Sequence, residues 1–75
     1  MKTVQISLNS IDKVKSFVND ITKFDYDFDL VSGRYVIDAK SIMGIFSLDL
    51  SKPITVEIEE ECPEKLKKEI QEFKL

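Results

Sequence analysis

Asp38-Ala39-Lys40-Ser41-Ile42-Met43-Gly44-Ile45-Phe46-Ser47-Leu48 decides the fold of this chain, because it interrupts a β-patterned middle with a grouping that no strand adopts. Ile42, Met43, Ile45 and Phe46 are two apolar pairs around Gly44, a helical spacing rather than period-two alternation. Ser41 stands just before them as an N-cap candidate, with a hydroxyl able to accept a backbone N–H of the first turn. A short helix therefore begins here. On so short a helix the apolar side chains cannot all face inward. Ile45 and Leu48, three apart, are expected to do so, which leaves Ile42, Met43 and Phe46 for an exposed apolar patch of the kind that marks contact sites. The plainer alternative is that these three finish the core or cover the sheet edge.

On the N-terminal side of this stretch the pattern is a hairpin. Asp25 to Val31 alternates, with Tyr26, Phe28 and Leu30 on one face and Asp25, Asp27 and Asp29 on the other. Ser32-Gly33 is a turn signal, and Arg34 to Asp38 resumes the alternation. On the C-terminal side Ser51-Lys52-Pro53 breaks the chain before a further alternating strand, Ile54 to Glu59.

At the N-terminus Val4, Ile6 and Leu8 alternate with Thr3, Gln5 and Ser7, a strand with one buried face. Asn9-Ser10 then supplies N-cap residues and Asp12 an anion suited to the first turn of a helix. The stripe Ile11, Val14, Phe17, Val18, Ile21 is expected to lie in the core. Pro63 marks the first turn of a last helix with Leu66, Ile70 and Phe73 inward. The order βαββαβα predicts an α+β fold, an antiparallel sheet covered on one side by helices.

The 75 residues allow one small domain, 1–75. A formal charge of −3 and a pI near 4.8 argue against nucleic-acid or anionic-membrane partners, which demand a concentrated basic face. Lys65, Lys67 and Lys68 lie among glutamates and are expected to form a solvated, ion-paired helix face. The three alternating aspartates stand about 7 Å apart along a strand with no other ligand type, so neither a metal nor a cofactor is expected. The lone Cys62 excludes an intramolecular disulfide and fits a reducing cytoplasm. No stretch has the apolar length of a secretion signal or a membrane span.

Lys40-Ser41-Ile42-Met43-Gly44, preceded by a hairpin and followed by Ser47-Leu48, resembles the corresponding segment of HPr, the histidine-containing phosphocarrier protein of the bacterial sugar phosphotransferase system. The resemblance runs over most of the chain and is strongest from about Phe24 to Ser47. It implies an open-faced β-sandwich, four antiparallel strands under three helices, in agreement with the pattern. In that family a histidine at the start of the first helix accepts phosphate, followed two and three positions on by an arginine and a proline. Counting back from Phe24, which matches the aromatic at the end of that helix, puts Ser10 at the histidine position and Asp12 and Lys13 at the other two. The chain contains no histidine. Ser10 is not competent for the family's chemistry, because a serine phosphate is a stable ester whereas imidazole passes phosphate on, and Asp12 repels an incoming phosphoryl group.

Ser41 matches the family's second phosphorylation site, a serine modified by an ATP-dependent kinase in some bacteria, with Lys40 beside it. Alternatively Ser41 is a cap alone, worth about 1 kcal/mol. Ile42, Met43 and Phe46 match the positions through which the family docks its partners. Three functions stay open. The first is a regulatory or protein-binding module without catalytic activity, using the Ser41 helix on proteins of the phosphotransferase system or its regulators. The others are a phosphocarrier on a non-histidine residue and a scaffold with this fold working outside sugar transport. The oligomeric state is not encoded in these patterns.

Overall fold

A computed structural model of the chain describes residues 2–75. The elements follow in the expected order: β1 (Lys2–Ile6), α1 (Ile11–Ile21), β2 (Asp29–Ser32), β3 (Tyr35–Asp38), α2 (Ile42–Phe46), β4 (Ile54–Ile58) and α3 (Glu64–Gln71). Every ladder is antiparallel, and the strands lie in the order β1-β4-β2-β3. The last strand of the sequence thus sits between the first and the second. Its composition suits that place, since Ile54, Val56 and Ile58 are all buried.

Residues directly opposite one another in an antiparallel ladder share a face. Val4 and Ile6 of β1, Ile54 and Val56 of β4, Leu30 of β2 and Ile37 of β3 therefore form one face. That face packs into the core with Val14, Phe17 and Ile21 of α1, Ile45 of α2, and Leu66 and Ile70 of α3. Phe17 is the largest fully buried side chain and meets Phe28 and Phe73 edge-on, with ring centroids 6.4 Å and 5.3 Å away. The opposite face carries the exposed Thr3, Gln5, Asp29, Val36 and Asp38. The architecture is the α+β sandwich anticipated above, helices on one side and an open face on the other.

β2 is shorter than its alternation implied. It begins at Asp29, although Phe28 and Leu30 are buried and Tyr26 is half-buried as the pattern required. Upstream of Asp29 a side chain replaces the ladder: the Glu59 N–H, just past β4, donates to the Tyr26 hydroxyl at 3.0 Å, and Tyr26 stacks on Phe28. Ile11 departs further from expectation. It is 61% exposed, because the core reaches only as far as Val14 and the first turn of α1 runs beyond it. Pro63 is the N-cap of α3, one place before its first turn, and Phe73 packs on the core from just past the end of that helix.

The β2–β3 hairpin closes through a two-residue loop between the paired Ser32 and Tyr35. Gly33 takes φ +60° and no other described residue has positive φ, the pattern of a type II′ turn with glycine in its first central position. At the other side of the sheet the C-terminus folds against β1. Lys74 bridges to Ile6, the Ser7 N–H donates to the Phe73 carbonyl at 2.9 Å, and the Leu75 N–H donates to the Gln5 carbonyl at 3.2 Å.

Candidate functional site

The turn into α2 is organised by Asp38. Its Oδ1 accepts the Lys40 N–H at 2.9 Å and its carbonyl accepts the Ser41 N–H at 3.0 Å, so side chain and backbone of one residue close the turn. Ala39 inside it is fully buried, and its N–H donates to the Phe28 carbonyl at 3.0 Å. The chain is thereby delivered to Ser41 in an extended conformation, from which α2 starts.

The Ser41 hydroxyl accepts the Gly44 N–H at 3.1 Å, so it caps α2 as its position predicted. Gly44 packs closely against the capping side chain. A Cβ at this residue would stand 3.0 Å from Ser41 Oγ and 3.5 Å from Ile37 Cδ1, tighter than ordinary contact in the first case. A larger residue at the glycine, noted in the sequence only as an interruption of the apolar pairs, would make the Ser41 side chain shift by a few tenths of an ångström.

Lys40 is engaged elsewhere than its place beside Ser41 implied. Its ammonium donates to the Phe24 carbonyl at 2.8 Å and lies 3.3 Å from Asp27 Oδ1, tying the turn before α2 to the segment that follows α1. Lys40, expected as a partner contact beside Ser41, thus also cross-links two loops of its own chain. Asp27 is the one of the three alternating aspartates drawn into an ion pair by this arrangement.

The apolar residues of α2 divide by exposure. Ile45 is fully buried and Leu48 nearly so, as expected from their spacing. Ile42 is half-buried against the core, whereas Phe46 is 38% and Met43 77% exposed. α1 packs on α2 and itself carries a further exposed large apolar side chain, Ile11. Sequence reasoning missed Ile11 as a surface residue. The available signal was its position in the first turn of the helix, where nothing upstream can cover it.

At the start of α1 the Ser10 hydroxyl accepts the Lys13 N–H at 3.1 Å and caps the helix, with the exposed Asp12 following. Two other groups of titratable residues lie away from this end. Among the described residues Asp20, Glu69 and Glu72 bring carboxylate oxygens within 4.8 Å of one another, and desolvation, followed by the charge of Asp20, raises the Glu69 pKa. Cys62 is buried and free, and burial pushes its thiol pKa up, so it is not an activated nucleophile. No helix among the described residues is long and apolar enough to cross a membrane.

Comparison with known proteins matches the same elements. The family model described as the PTS HPr component phosphorylation site fits residues 13–73, which begins just after Ser10 and Asp12 and takes in α2 and its cap. The chain superposes on HPr-C-His from Thermoanaerobacter tengcongensis with a TM-score of 0.77 at 26% identity, covering 96% of this chain and 89% of that one. It superposes on the phosphocarrier protein HPr from Bacillus anthracis str. Ames with a TM-score of 0.71 at 29% identity, covering 97% of this chain and 94% of that one. No curated protein sequence matches it. With a family model spanning most of its length and the strands and helices of solved HPr proteins superposing on its own, the chain belongs to the PTS HPr family.

Proposed function

We propose that this protein is an HPr relative that does not carry phosphate on histidine and instead works by binding proteins, through the Ser41-capped helix and the apolar side chains around it. The observation that carries the reading is the pairing of two facts. The sequence holds no histidine, and Met43 on α2 is 77% exposed where a folded monomer gains nothing by exposing it. Ser10 stands at the position matching the family's phosphate acceptor, and its hydroxyl is used as a helix cap. A serine hydroxyl is a weak nucleophile unless a base activates it, and its phosphate ester does not pass phosphate onward as a phosphoramidate does. The partners are then proteins of the phosphotransferase system or its regulators, which read the surface of HPr rather than its histidine. Ser41 is the site at which a serine kinase acting on HPr would modify this surface.

Phosphoryl transfer tests the reading directly. Incubated with radiolabelled phosphoenolpyruvate and the general enzyme of the phosphotransferase system, the protein is expected to stay unlabelled. Stoichiometric, acid-labile label would sink the proposal and make the chain a carrier on another residue. With ATP and a serine kinase specific for HPr, label is expected on Ser41. Ser41→Ala should abolish that label at a cost of about 1 kcal/mol or less in stability, the scale of a lost N-cap. Undiminished label on the alanine variant would move the site elsewhere.

A further inference from the structure

The two edges of the sheet are treated differently. The outer side of β1 is covered by the C-terminus of the same chain, through the Ile6–Lys74 bridge and the hydrogen bonds of Ser7 and Leu75. β3, at the opposite end of the strand order, has no strand or bridge on its outer side among the described residues. Edge strands are commonly blunted by being very short, by charged side chains such as lysine, by proline or by a bulge. Tyr35-Val36-Ile37-Asp38 is short and charged only at Asp38, but it has no lysine or proline and pairs one for one with β2 without a bulge. Tyr35 and Val36 are 63% and 61% exposed there.

The direction of the backbone groups follows from the hairpin. A two-residue loop makes Ser32 and Tyr35 a hydrogen-bonded pair, so Tyr35 and Ile37 aim their N–H and C=O groups at β2. Ala39 continues the alternation, donating inward to the Phe28 carbonyl. Val36, between them, aims its N–H and C=O away from the sheet, at the open edge.

We propose that β3 pairs antiparallel with β3 of a second copy of this chain, about a two-fold axis at Val36, joining two four-stranded sheets edge to edge. The side chains select this register. Val36 and Asp38 lie on the open face and Tyr35 and Ile37 on the helix-covered face, so only registers that keep the faces together are allowed. Centred on Val36, the pairing sets Tyr35 opposite Ile37 of the second copy, an aromatic and β-branched pair. It sets Arg34 opposite Asp38 of the second copy, and symmetry repeats both contacts. Asp38 Oδ1 holds the Lys40 N–H, which leaves the other carboxylate oxygen for the guanidinium. A shift by two residues one way places Asp38 against Val36 and Arg34 against Lys40. A shift the other way places Arg34 against Val36 and carries Asp38 past the strand to Ser32. Charge complementarity thus singles out one arrangement, and the shortness of the strand makes it a concentration-dependent contact rather than an obligate dimer.

Sedimentation equilibrium of the full chain from micromolar to millimolar concentration is the test. The expected result is a mass rising from that of one chain toward that of two. Val36→Lys sets two ammonium groups face to face at the axis and should weaken association at least ten-fold, with an unchanged circular dichroism spectrum. Arg34→Glu and Asp38→Lys should each weaken it alone, and mixing the two variants should restore it, because each then meets its opposite charge. Met43→Glu should leave it unchanged, which separates this contact from docking on α2. If Asp38→Lys does not fold, Val36→Lys and Arg34→Glu decide. A mass of one chain throughout, a dimer indifferent to Val36→Lys and Arg34→Glu, or folded charge variants that fail to complement would each overturn the proposal.

Discussion

Phe17→Ala is expected to leave this chain largely unfolded under conditions in which the parent is folded. Phe17 is fully buried and reaches from α1 to Phe28, just before β2, and to Phe73, just after α3, meeting both rings edge-on at 83° and 88°. Its truncation removes the transfer free energy of the ring, opens a cavity and breaks two ring pairs, a loss of about 3–5 kcal/mol. A domain of 75 residues holds in total on the order of 5 kcal/mol, so most of the stability goes with one side chain. Urea unfolding followed by circular dichroism measures it. A loss below about 1 kcal/mol would mean that the surrounding helices close over the gap and that Phe17 does not tie the three segments together.

Met43→Glu should have the largest effect on function with little effect on folding. The side chain projects from α2 and is mostly in water, so stability is expected to change by no more than about 0.5 kcal/mol, as for an ordinary surface position. Binding to a protein that reads HPr should weaken by about 1 kcal/mol or more, because a carboxylate would have to be desolvated in an apolar contact. Titration calorimetry against the serine kinase for HPr gives the affinity, and thermal unfolding gives the stability. If the variant binds as the parent does, the working surface is not α2. Should it instead unfold the domain, Met43 belongs to the core and the docking proposal loses its chief support.

Local chemistry alone carried the reading of the elements. Ser41 precedes an apolar helical spacing and accepts the N–H three residues on, and of the two cap candidates Asn9-Ser10 it is Ser10 that does the same, so these helix starts were legible to within a residue. The alternation of Ile54, Val56 and Ile58 marked a strand with one buried face wherever it came to lie. The absence of histidine is likewise a property of the sequence, since no fold supplies an imidazole that the chain lacks. The family resemblance was strongest at α2 and the hairpin before it, and the match over residues 13–73 includes them.

What the pattern could not carry are the relations between residues distant in sequence. Alternation fixes which side of a strand is apolar but not which strand lies beside it, so the central place of β4 and the open edge of β3 come from the packing alone. Lys40 stands next to Ser41 in the chain, yet its ammonium reaches Phe24 and Asp27, because the loops after α1 and before α2 meet only once the sheet has formed. Ile11 satisfies the helical stripe and is exposed all the same, since periodicity assigns a residue to a face of its helix while the extent of the neighbouring layer decides how far along that face the core reaches.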